Sequence, residues 1–275
     1  MRHPRVFTSN RMETLTRALA EVLERPLSSP FRPEVILVQS KGMERYLSMH
    51  LALHHGISAN CRFPFPNAFV DQVFKSVLPQ VPEPSPFEPE ILTWRIMKQL
   101  PEHLSKPGFE GLKLYLEEEG DSLKRLQLSA AIADTFDQYL LFRPDMIDRW
   151  EKGEEDHWQA VLWRALVRGC PQNHRAALAR VFLETLQDLS PGEAGLPERI
   201  SIFGISTLPR FHMEVLSALA RFMEIHLFLM NPCKEYWGDI LSEREMGRRL
   251  EGHGTGKSAH ELLHLEQGNS LLASM

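Results

Sequence analysis

Short apolar runs alternate with amphipathic segments over the first part of the chain, a pattern typical of an α/β fold. Residues 35–38 form a continuous apolar run, which suits a strand buried on both faces. A polar turn follows at 39–42, and apolar residues then recur at helical spacing as far as His54. A strand at 5–8 and an amphipathic helix precede this unit. Because a helix joins the two strands, they are expected to run parallel.

The pattern becomes helical after the proline-rich segment 79–90, which predicts a stiff linker. Before it, the pattern predicts a third short strand at 57–62 and a helix from Asn67. After it, helical periodicity predicts helices at 89–100, 112–118, 122–142, 156–168 and 174–189.

The α/β pattern then resumes, with strands at 199–204 and 225–230 around a helix that begins near Pro209. The sequence therefore predicts an α/β core with a parallel sheet, built from residues 1–78 and 199–275. Residues 79–198 form an inserted all-helical subdomain in this interpretation. The polar segment 242–267 contains several glycines and is predicted to be a mobile loop.

The charge balance, the apolar runs and the cysteines limit which partners and which compartment are expected for the chain. The 275 residues carry 31 basic and 36 acidic side chains, a net charge of −5. This balance argues against a surface dominated by unspecific DNA affinity and leaves room for a local basic channel. No apolar run approaches the roughly 20 residues of a membrane span, so no membrane partner is expected. Three isolated cysteines, Cys61, Cys170 and Cys233, favour a reducing cytoplasm over a disulfide framework.

Two segments invite comparison with phosphate-binding loops. The strand–turn–helix at 34–55 has the local architecture of a P-loop, but its turn has one glycine and a lysine that precedes it. Residues 252–258 end in Gly-Lys-Ser, yet Glu251 stands where the first glycine belongs and no apolar strand precedes it. A nucleotide-binding architecture without a nucleotide is therefore predicted, with no cofactor and no catalytic residue.

Polar pairs on the predicted helices leave several interpretations open. His50 and His54 lie one turn apart, but no third ligand completes a recognisable metal set nearby in the sequence, so no metal site is predicted. Asp134 and Asp137 could form a solvated helix face or part of a two-metal nuclease site. Beside Arg143, these carboxylates would also suit recognition of unpaired bases, whose amino groups donate hydrogen bonds.

Short motifs spread over the chain match one family. They are Ser9-Asn10-Arg11, Ile36-Leu37-Val38-Gln39-Ser40, Gly42-Met43, Gly56-Ile57, Ala59-Asn60, Phe63-Pro64 with Pro66, Phe136-Asp137-Gln138-Tyr139-Leu140, Arg143-Pro144-Asp145, His174-Arg175-Ala176, Gly204-Ile205-Ser206, Leu208-Pro209, Glu224-Ile225-His226-Leu227, Asn231-Pro232-Cys233 and Tyr236-Trp237-Gly238-Asp239-Ile240. With these motifs the chain resembles the N-terminal region of RecC, the gamma subunit of exodeoxyribonuclease V (the RecBCD helicase–nuclease).

The resemblance implies a P-loop-NTPase-like core, similar to superfamily 1 helicases that have lost ATP binding, with the helical insertion as its accessory subdomain. It implies a non-catalytic scaffold between RecB-like and RecD-like helicase subunits of an ATP-dependent exodeoxyribonuclease. Such a subunit contacts single-stranded and forked DNA, helps to split the duplex, and scans the 3′-ended strand for a G-rich regulatory sequence (Chi).

The resemblance also implies which residues contact the scanned strand. Six positions carry over with the same residue type: Gln39, Asp134, Asp137, Gln138, Arg143 and Arg175. Five others, Lys41, Arg45, Phe65, Asp71 and Thr135, stand where the best-known pattern has Thr, Gln, Leu, Trp and Leu. Lys41 and Arg45 add positive charge, so strand binding is expected to persist.

These residues are expected to meet at one groove. Gln39 and Lys41 follow a buried strand, where open α/β sheets hold their ligands. Asp134, Asp137 and Arg143 lie on or just after one predicted helix of the insertion. Three alternatives remain: a P-loop ATPase using residues 256–258, a metal-dependent nuclease using the two aspartates, and a structural adaptor without DNA contact.

Overall fold

The computed structural model describes residues 4–116, 122–170, 173–190 and 195–231, and the backbone of two short strands farther along the chain. The predicted loop at 242–267 lies outside the described residues except for the last of these strands, and the glycine-rich segment 252–258 lies entirely outside them. Cys233 is also outside, while Cys61 and Cys170 are free thiols. Among the described helices, none is both long enough and apolar enough to cross a membrane.

The elements follow one another in the predicted order, first α/β, then helical, then α/β. They are β1 (Arg5–Ser9), α1 (Met12–Leu23), β2 (Glu34–Leu37), α2 (Lys41–His55), β3 (Cys61–Arg62), α3 (Pro66–Val77), α4 (Pro89–His103), α5 (Glu110–Tyr115), α6 (Ser122–Phe142), α7 (Pro144–Lys152), α8 (Trp158–Val167), α9 (Arg175–Asp188), β4 (Arg199–Phe203), α10 (Arg210–Leu219), β5 (Glu224–Met230), β6 (Ile240–Leu241) and β7 (Glu266–Gln267).

A five-stranded sheet in the order β1-β5-β4-β2-β3 forms the centre of the fold, and every pairing in it is parallel. The predicted parallel sheet is therefore confirmed. β1 and β2 run parallel as predicted, but β5 and β4 lie between them. The chain passes from β2 outward to β3 and then returns to β4 on the other side of β2. The strand order reverses between β2 and β4, and in doubly wound sheets ligands bind outside the carboxyl ends of such strands.

Both faces of the sheet are covered by helices, as the burial of every residue of β4 and of three of the four residues of β2 requires. On one face, α1 and α2 bury a cluster with Leu19, Leu47 and Phe228. On the other face, α3, α9 and α10 bury a cluster that includes Phe69 and Phe182. Among the described residues the sheet is thus the middle layer of three, and its strand ends are open to a ligand.

The helices from α4 to α8 pack around a second apolar core. Its largest members, Phe136, Trp150 and Trp163, are almost completely buried and make edge-to-face ring contacts. α9 contributes Phe182 to the sheet core and Ala176 to the helical core, so it joins the two parts. The division of the chain at 79 and 198 stays a prediction.

One helix of the structure, α7, was not predicted from the sequence pattern. α7 begins at Pro144 in its first turn and ends at Gly153, whose φ of +77° suits the left-handed conformation after a helix. Ile147 and Trp150 bury its apolar face in the helical core. Both end signals are visible in the sequence, but a helix of nine residues gives only two turns of periodicity.

Candidate functional site

The turn between β2 and α2 is too short to hold a phosphate chain. Only Val38, Gln39 and Ser40 separate the strand from the helix, and Val38 is buried. Ser40 caps the helix, because its Oγ accepts a hydrogen bond from the backbone N–H of Met43 at 3.1 Å. Gly42 is already inside the helix. The backbone N–H groups of this turn therefore serve the start of α2 instead of converging on a ligand.

A groove of about 540 Å³ lies at the carboxyl ends of β2 and β4, where the strand order reverses. We call it the switch-point groove. It is lined by residues of the three helices α3, α6 and α10 and of the three loops that precede α2, α3 and α10, among them Gln39, Phe65, Asn67, Asp71, Leu141, Pro209 and His212. Its volume falls within the range usual for ligand pockets.

Three helices begin at the switch-point groove. Gln39 directly precedes the cap of α2, Phe65 is the N-terminal flanking residue of α3, and Pro209 is that of α10. No side chain caps α3 or α10. Because helix N-termini carry partial positive charge and free N–H groups, this end of the groove attracts anions such as phosphate.

Arg175 joins two carboxylates beside the groove. Its guanidinium nitrogens lie 3.5 Å from Oδ2 of Asp71 and 3.5 Å from Oδ1 of Asp137. Asp71 lines both the switch-point groove and a smaller adjoining cavity of about 100 Å³, which Asp137 and Arg175 also line. These three predicted residues, from α3, α6 and α9, therefore meet where the helical part packs on the sheet part.

The surroundings of Asp137 disfavour the charged form of its carboxylate. Burial raises its pKa, Arg175 lowers it, and the nearby charges of Asp134 and Asp71 raise it, so that the net shift is upward. Carboxylates whose charge is disfavoured by their surroundings cluster at functional sites. Asp137 has open hydrogen-bonding capacity, since one arginine at 3.5 Å does not saturate two carboxylate oxygens.

A buried histidine fixes the start of α9 and thereby the position of Arg175. His174 is fully buried, and its Nδ1 accepts a hydrogen bond from the backbone N–H of Ala177 at 3.2 Å. Its Nε2 lies 2.8 Å from Oε1 of Glu151, which also accepts a hydrogen bond from the indole N–H of Trp163. Burial raises the pKa of Glu151, but these partners outweigh it and the pKa is lowered.

The other predicted residues lie around this centre. On α6, Asp134 lies three residues before Asp137 and four before Gln138, so it neighbours both on the helix surface. Lys41 lies 5.8 Å from the centre of the Phe65 ring and pairs with Glu44 at 2.8 Å.

The predicted set thus divides into two groups. The structure brings together Gln39, Lys41, Phe65, Asp71, Asp134, Asp137 and Arg175. Arg45, Gln138 and Arg143 are exposed, Thr135 bonds its own helix at the carbonyl of Ala131, and none of the described contacts joins these four to the others.

Two polar groove residues that contact each other, Asn67 and His212, were not among the predicted site residues. His212 is buried on α10, and its Nε2 lies 2.9 Å from Oδ1 of Asn67 at the start of α3. Asn67 had been predicted only as the start of a helix. The two residues are 145 positions apart, so no local pattern marks them as partners.

The predicted histidine pair does not act as a unit. His50 packs on the ring of Tyr46 at 4.2 Å between ring centres. His54 lies beside Glu24 of α1 and next to His55, and the ligand atoms of these three exposed residues lie within 4.8 Å of one another. Nothing in the described residues orients them toward a common point.

The fold and the groove define a doubly wound α/β protein whose candidate ligand crevice lies at the switch between β2 and β4 and whose β2–α2 turn is not a phosphate loop. The chain belongs to the RecC N-terminal domain family, whose model matches residues 5–275. It is 44% identical over 259 residues to the RecBCD enzyme subunit RecC of Escherichia coli, covering 90% of this chain and 23% of that protein.

Two further relatives carry the same name. The RecBCD enzyme subunit RecC of Haemophilus influenzae is 38% identical over 268 residues, which cover 86% of this chain and 24% of that protein. That of Mycolicibacterium smegmatis is 29% identical over 278 residues, which cover 97% and 24%. The chain therefore spans about a quarter of the length of the curated relatives that it matches.

Proposed function

We propose that this chain is the non-catalytic, DNA-scanning and scaffolding domain of a RecBCD-type helicase–nuclease. In this role it binds the 3′-ended single strand at the switch-point groove, searches it for a Chi-like regulatory sequence, and helps to split the duplex. The observation that carries the proposal is the Arg175-bridged pair of Asp71 and Asp137 beside a groove at which three helices begin.

Each part of this arrangement suits a different part of a single strand. The three helix N-termini attract backbone phosphates. The carboxylates of Asp71 and Asp137 accept hydrogen bonds from the N–H groups of unpaired bases. Phe65, whose side chain is 41% exposed at the groove, offers a ring on which a base can stack. The carboxylate of Asp71 would repel phosphates, so a base is the better fit beside it.

Arg175 weighs against the nuclease alternative. In a metal-dependent nuclease, carboxylates converge on a cation that activates water. That alternative uses Asp134 and Asp137; here the guanidinium of Arg175 lies 3.5 Å from Oδ1 of Asp137 and would repel a metal ion from this carboxylate. The short β2–α2 turn likewise weighs against an ATPase at this strand. We therefore place the domain in the superfamily 1 helicase-like class as a member without its own ATP chemistry.

The remaining parts of the proposal follow from the family. The relatives are named as subunits of the RecBCD enzyme, so we assign RecB-like and RecD-like helicase subunits and forked DNA as partners, and the cytoplasm as the location. Within the chain, residues 1–78 and 199–275 would form the helicase-like core, and residues 79–198 the accessory helical subdomain.

Two substitutions in the full-length protein, assembled with its partner subunits, test the proposal. We expect Arg143→Ala to weaken single-strand binding with little base preference and to lower the salt slope of log K by about 1, because one phosphate contact is lost. We expect Asp137→Ala to change which sequence triggers the response while unwinding continues, at a cost of about 1–3 kcal/mol of discrimination. Binding by anisotropy and unwinding assays measure both effects.

Arg17→Ala is the matched control for Arg143→Ala, because Arg17 is an exposed arginine on α1, the helix on the opposite face of the sheet. It should leave binding and sequence response unchanged. The proposal fails if Arg143→Ala and Asp137→Ala both behave like Arg17→Ala. Magnesium-dependent ATP hydrolysis by the isolated domain that is abolished by Lys257→Ala would instead support the ATPase alternative.

A further inference from the structure

Asn67 and Asp71 lie on one face of α3, because they are one helical turn apart, and both line the switch-point groove. Asp71 offers only hydrogen-bond acceptors, while the amide of Asn67 offers both an acceptor and two donors. The side chain of Asp71 is 46% exposed, so a ligand can reach its carboxylate despite the neighbouring Arg175. The first turn of α3 therefore presents mixed polar groups to whatever occupies the groove.

His212 determines which end of the Asn67 amide remains free. Only 3% of His212 is exposed, and burial, together with the charge of Arg175, lowers its pKa to about 4. The imidazole is neutral at pH 7 and carries a single N–H. Since its Nε2 lies 2.9 Å from Oδ1 of Asn67, that N–H is on Nε2 and is donated to the amide oxygen. Its Nδ1 has no hydrogen-bond partner within the described residues.

The amide of Asn67 is therefore oriented with its oxygen toward His212. Its NH₂ group is the part left to serve a ligand in the groove. One turn along α3, the Asp71 carboxylate supplies two acceptor oxygens. Along α3, Asn67 and Asp71 therefore present one donor group followed by two acceptor oxygens.

We propose that Asn67 and Asp71 read an unpaired guanine in the switch-point groove, an inference that rests on the proposed function. In this arrangement His212 is the positioning residue for Asn67. The Watson–Crick edge of guanine has one acceptor, the 6-oxo oxygen, beside two donors, the ring N–H and the exocyclic amino group. The Asn67 NH₂ donates to the oxygen, and the Asp71 carboxylate accepts from both donors. Adenine, cytosine and thymine each lack this row of one acceptor and two adjacent donors.

Base analogues test each contact in the full-length protein assembled with its partner subunits. The probes are single-stranded oligonucleotides in which individual guanines are replaced by inosine, which lacks the amino group, or by 2-aminopurine, which lacks both the oxygen and the ring N–H. At the guanine that occupies this groove, each replacement should weaken binding to the wild-type protein roughly 5- to 150-fold. We expect Asn67→Ala to reduce the guanine preference over 2-aminopurine at least about fivefold and to keep the penalty for inosine. Asp71→Ala, which removes both acceptor oxygens, should abolish the inosine penalty.

Two variants of His212 separate positioning from a merely structural role. His212→Gln keeps a side-chain N–H donor, and we expect it to retain the guanine preference. His212→Leu removes that donor and should reduce the preference over 2-aminopurine as Asn67→Ala does. Equal behaviour of His212→Gln and His212→Leu would overturn the positioning role.

The outcomes distinguish this inference from the function on which it rests. If Asn67→Ala leaves both analogue penalties unchanged while Arg143→Ala still weakens strand binding, the guanine contact is wrong and the scanning function stands. If the wild-type complex shows no base preference at any position and no response to Arg143→Ala, the scanning function fails as well.

Discussion

We expect Arg199→Met to lower the free energy of unfolding by about 3–5 kcal/mol, because it removes one partner of a buried ion pair and leaves the other without compensation. Arg199 is 2% exposed at the start of β4 and pairs with Glu34 at the start of β2. It also donates to the backbone carbonyls of Val22 and Arg25, each at 2.9 Å. This one side chain therefore ties the two switch strands to the end of α1, at the opposite end from the groove.

Urea unfolding of the chain measures this effect. Arg25→Met is the matched control, since the Arg25 side chain is 52% exposed and pairs with Glu224 at the surface. It should cost no more than about 1 kcal/mol. A loss of that small size for Arg199→Met as well would contradict the role assigned to Arg199.

Acid should destabilise the chain through two buried histidines. Burial lowers the pKa of His212 and of His226 from 6.5 to about 4. Between pH 6.5 and pH 4 the unfolded chain therefore binds more protons than the folded one, and the free energy of unfolding falls as the pH falls. The stabilisation is complete above pH 6.5 and is lost by pH 4. Shifts from 6.5 to about 4 correspond to about 3 kcal/mol for each histidine.

Variants identify the source of this acid sensitivity. His226 contacts the rings of Phe7 and Phe228 edge-on, and its Nδ1 has no hydrogen-bond partner among the described residues, so His226→Phe keeps the aromatic packing and removes the titration. We expect its stability curve between pH 6.5 and pH 4 to be flatter than that of the wild type. His55→Gln, at an exposed position, should keep the wild-type slope. An unchanged slope in His226→Phe would show that other groups cause the acid unfolding.

The sequence was sufficient to predict the local helices and strands, but it did not predict how they are arranged in space. A continuous apolar run predicted the strand at 35–38, because a parallel sheet buried on both faces needs such runs. The placement of β5 and β4 between β1 and β2 depends on contacts between distant segments. Periodicity reports which face of an element is buried and not which element covers it. The reversal of strand order that creates the groove was therefore not predictable from the pattern.

The residues of the candidate site divide in the same way: some could be predicted from the sequence, but the contacts between them could not. The resemblance to RecC supplied Asp137 and Arg175, and the exit of a buried strand indicated Gln39. Asp71 and Arg175 are 104 residues apart, and Asn67 and His212 are 145 apart. Such pairs arise only when α3, α9 and α10 pack on the same face of the sheet. The orientation of the Asn67 amide depends on the burial of His212, which no local motif encodes.

Photo-crosslinking tests the central claim, that the 3′-ended single strand occupies the switch-point groove. A photoreactive phenylalanine analogue at Phe65, in the full-length protein assembled with its partner subunits on forked DNA, should crosslink to the 3′-ended strand. Unlabelled single strands should compete with this reaction. The same analogue at Leu53, which is 78% exposed on α2, is the control for chance contact. Crosslinking of Phe65 to that strand at no more than the Leu53 level would contradict the account.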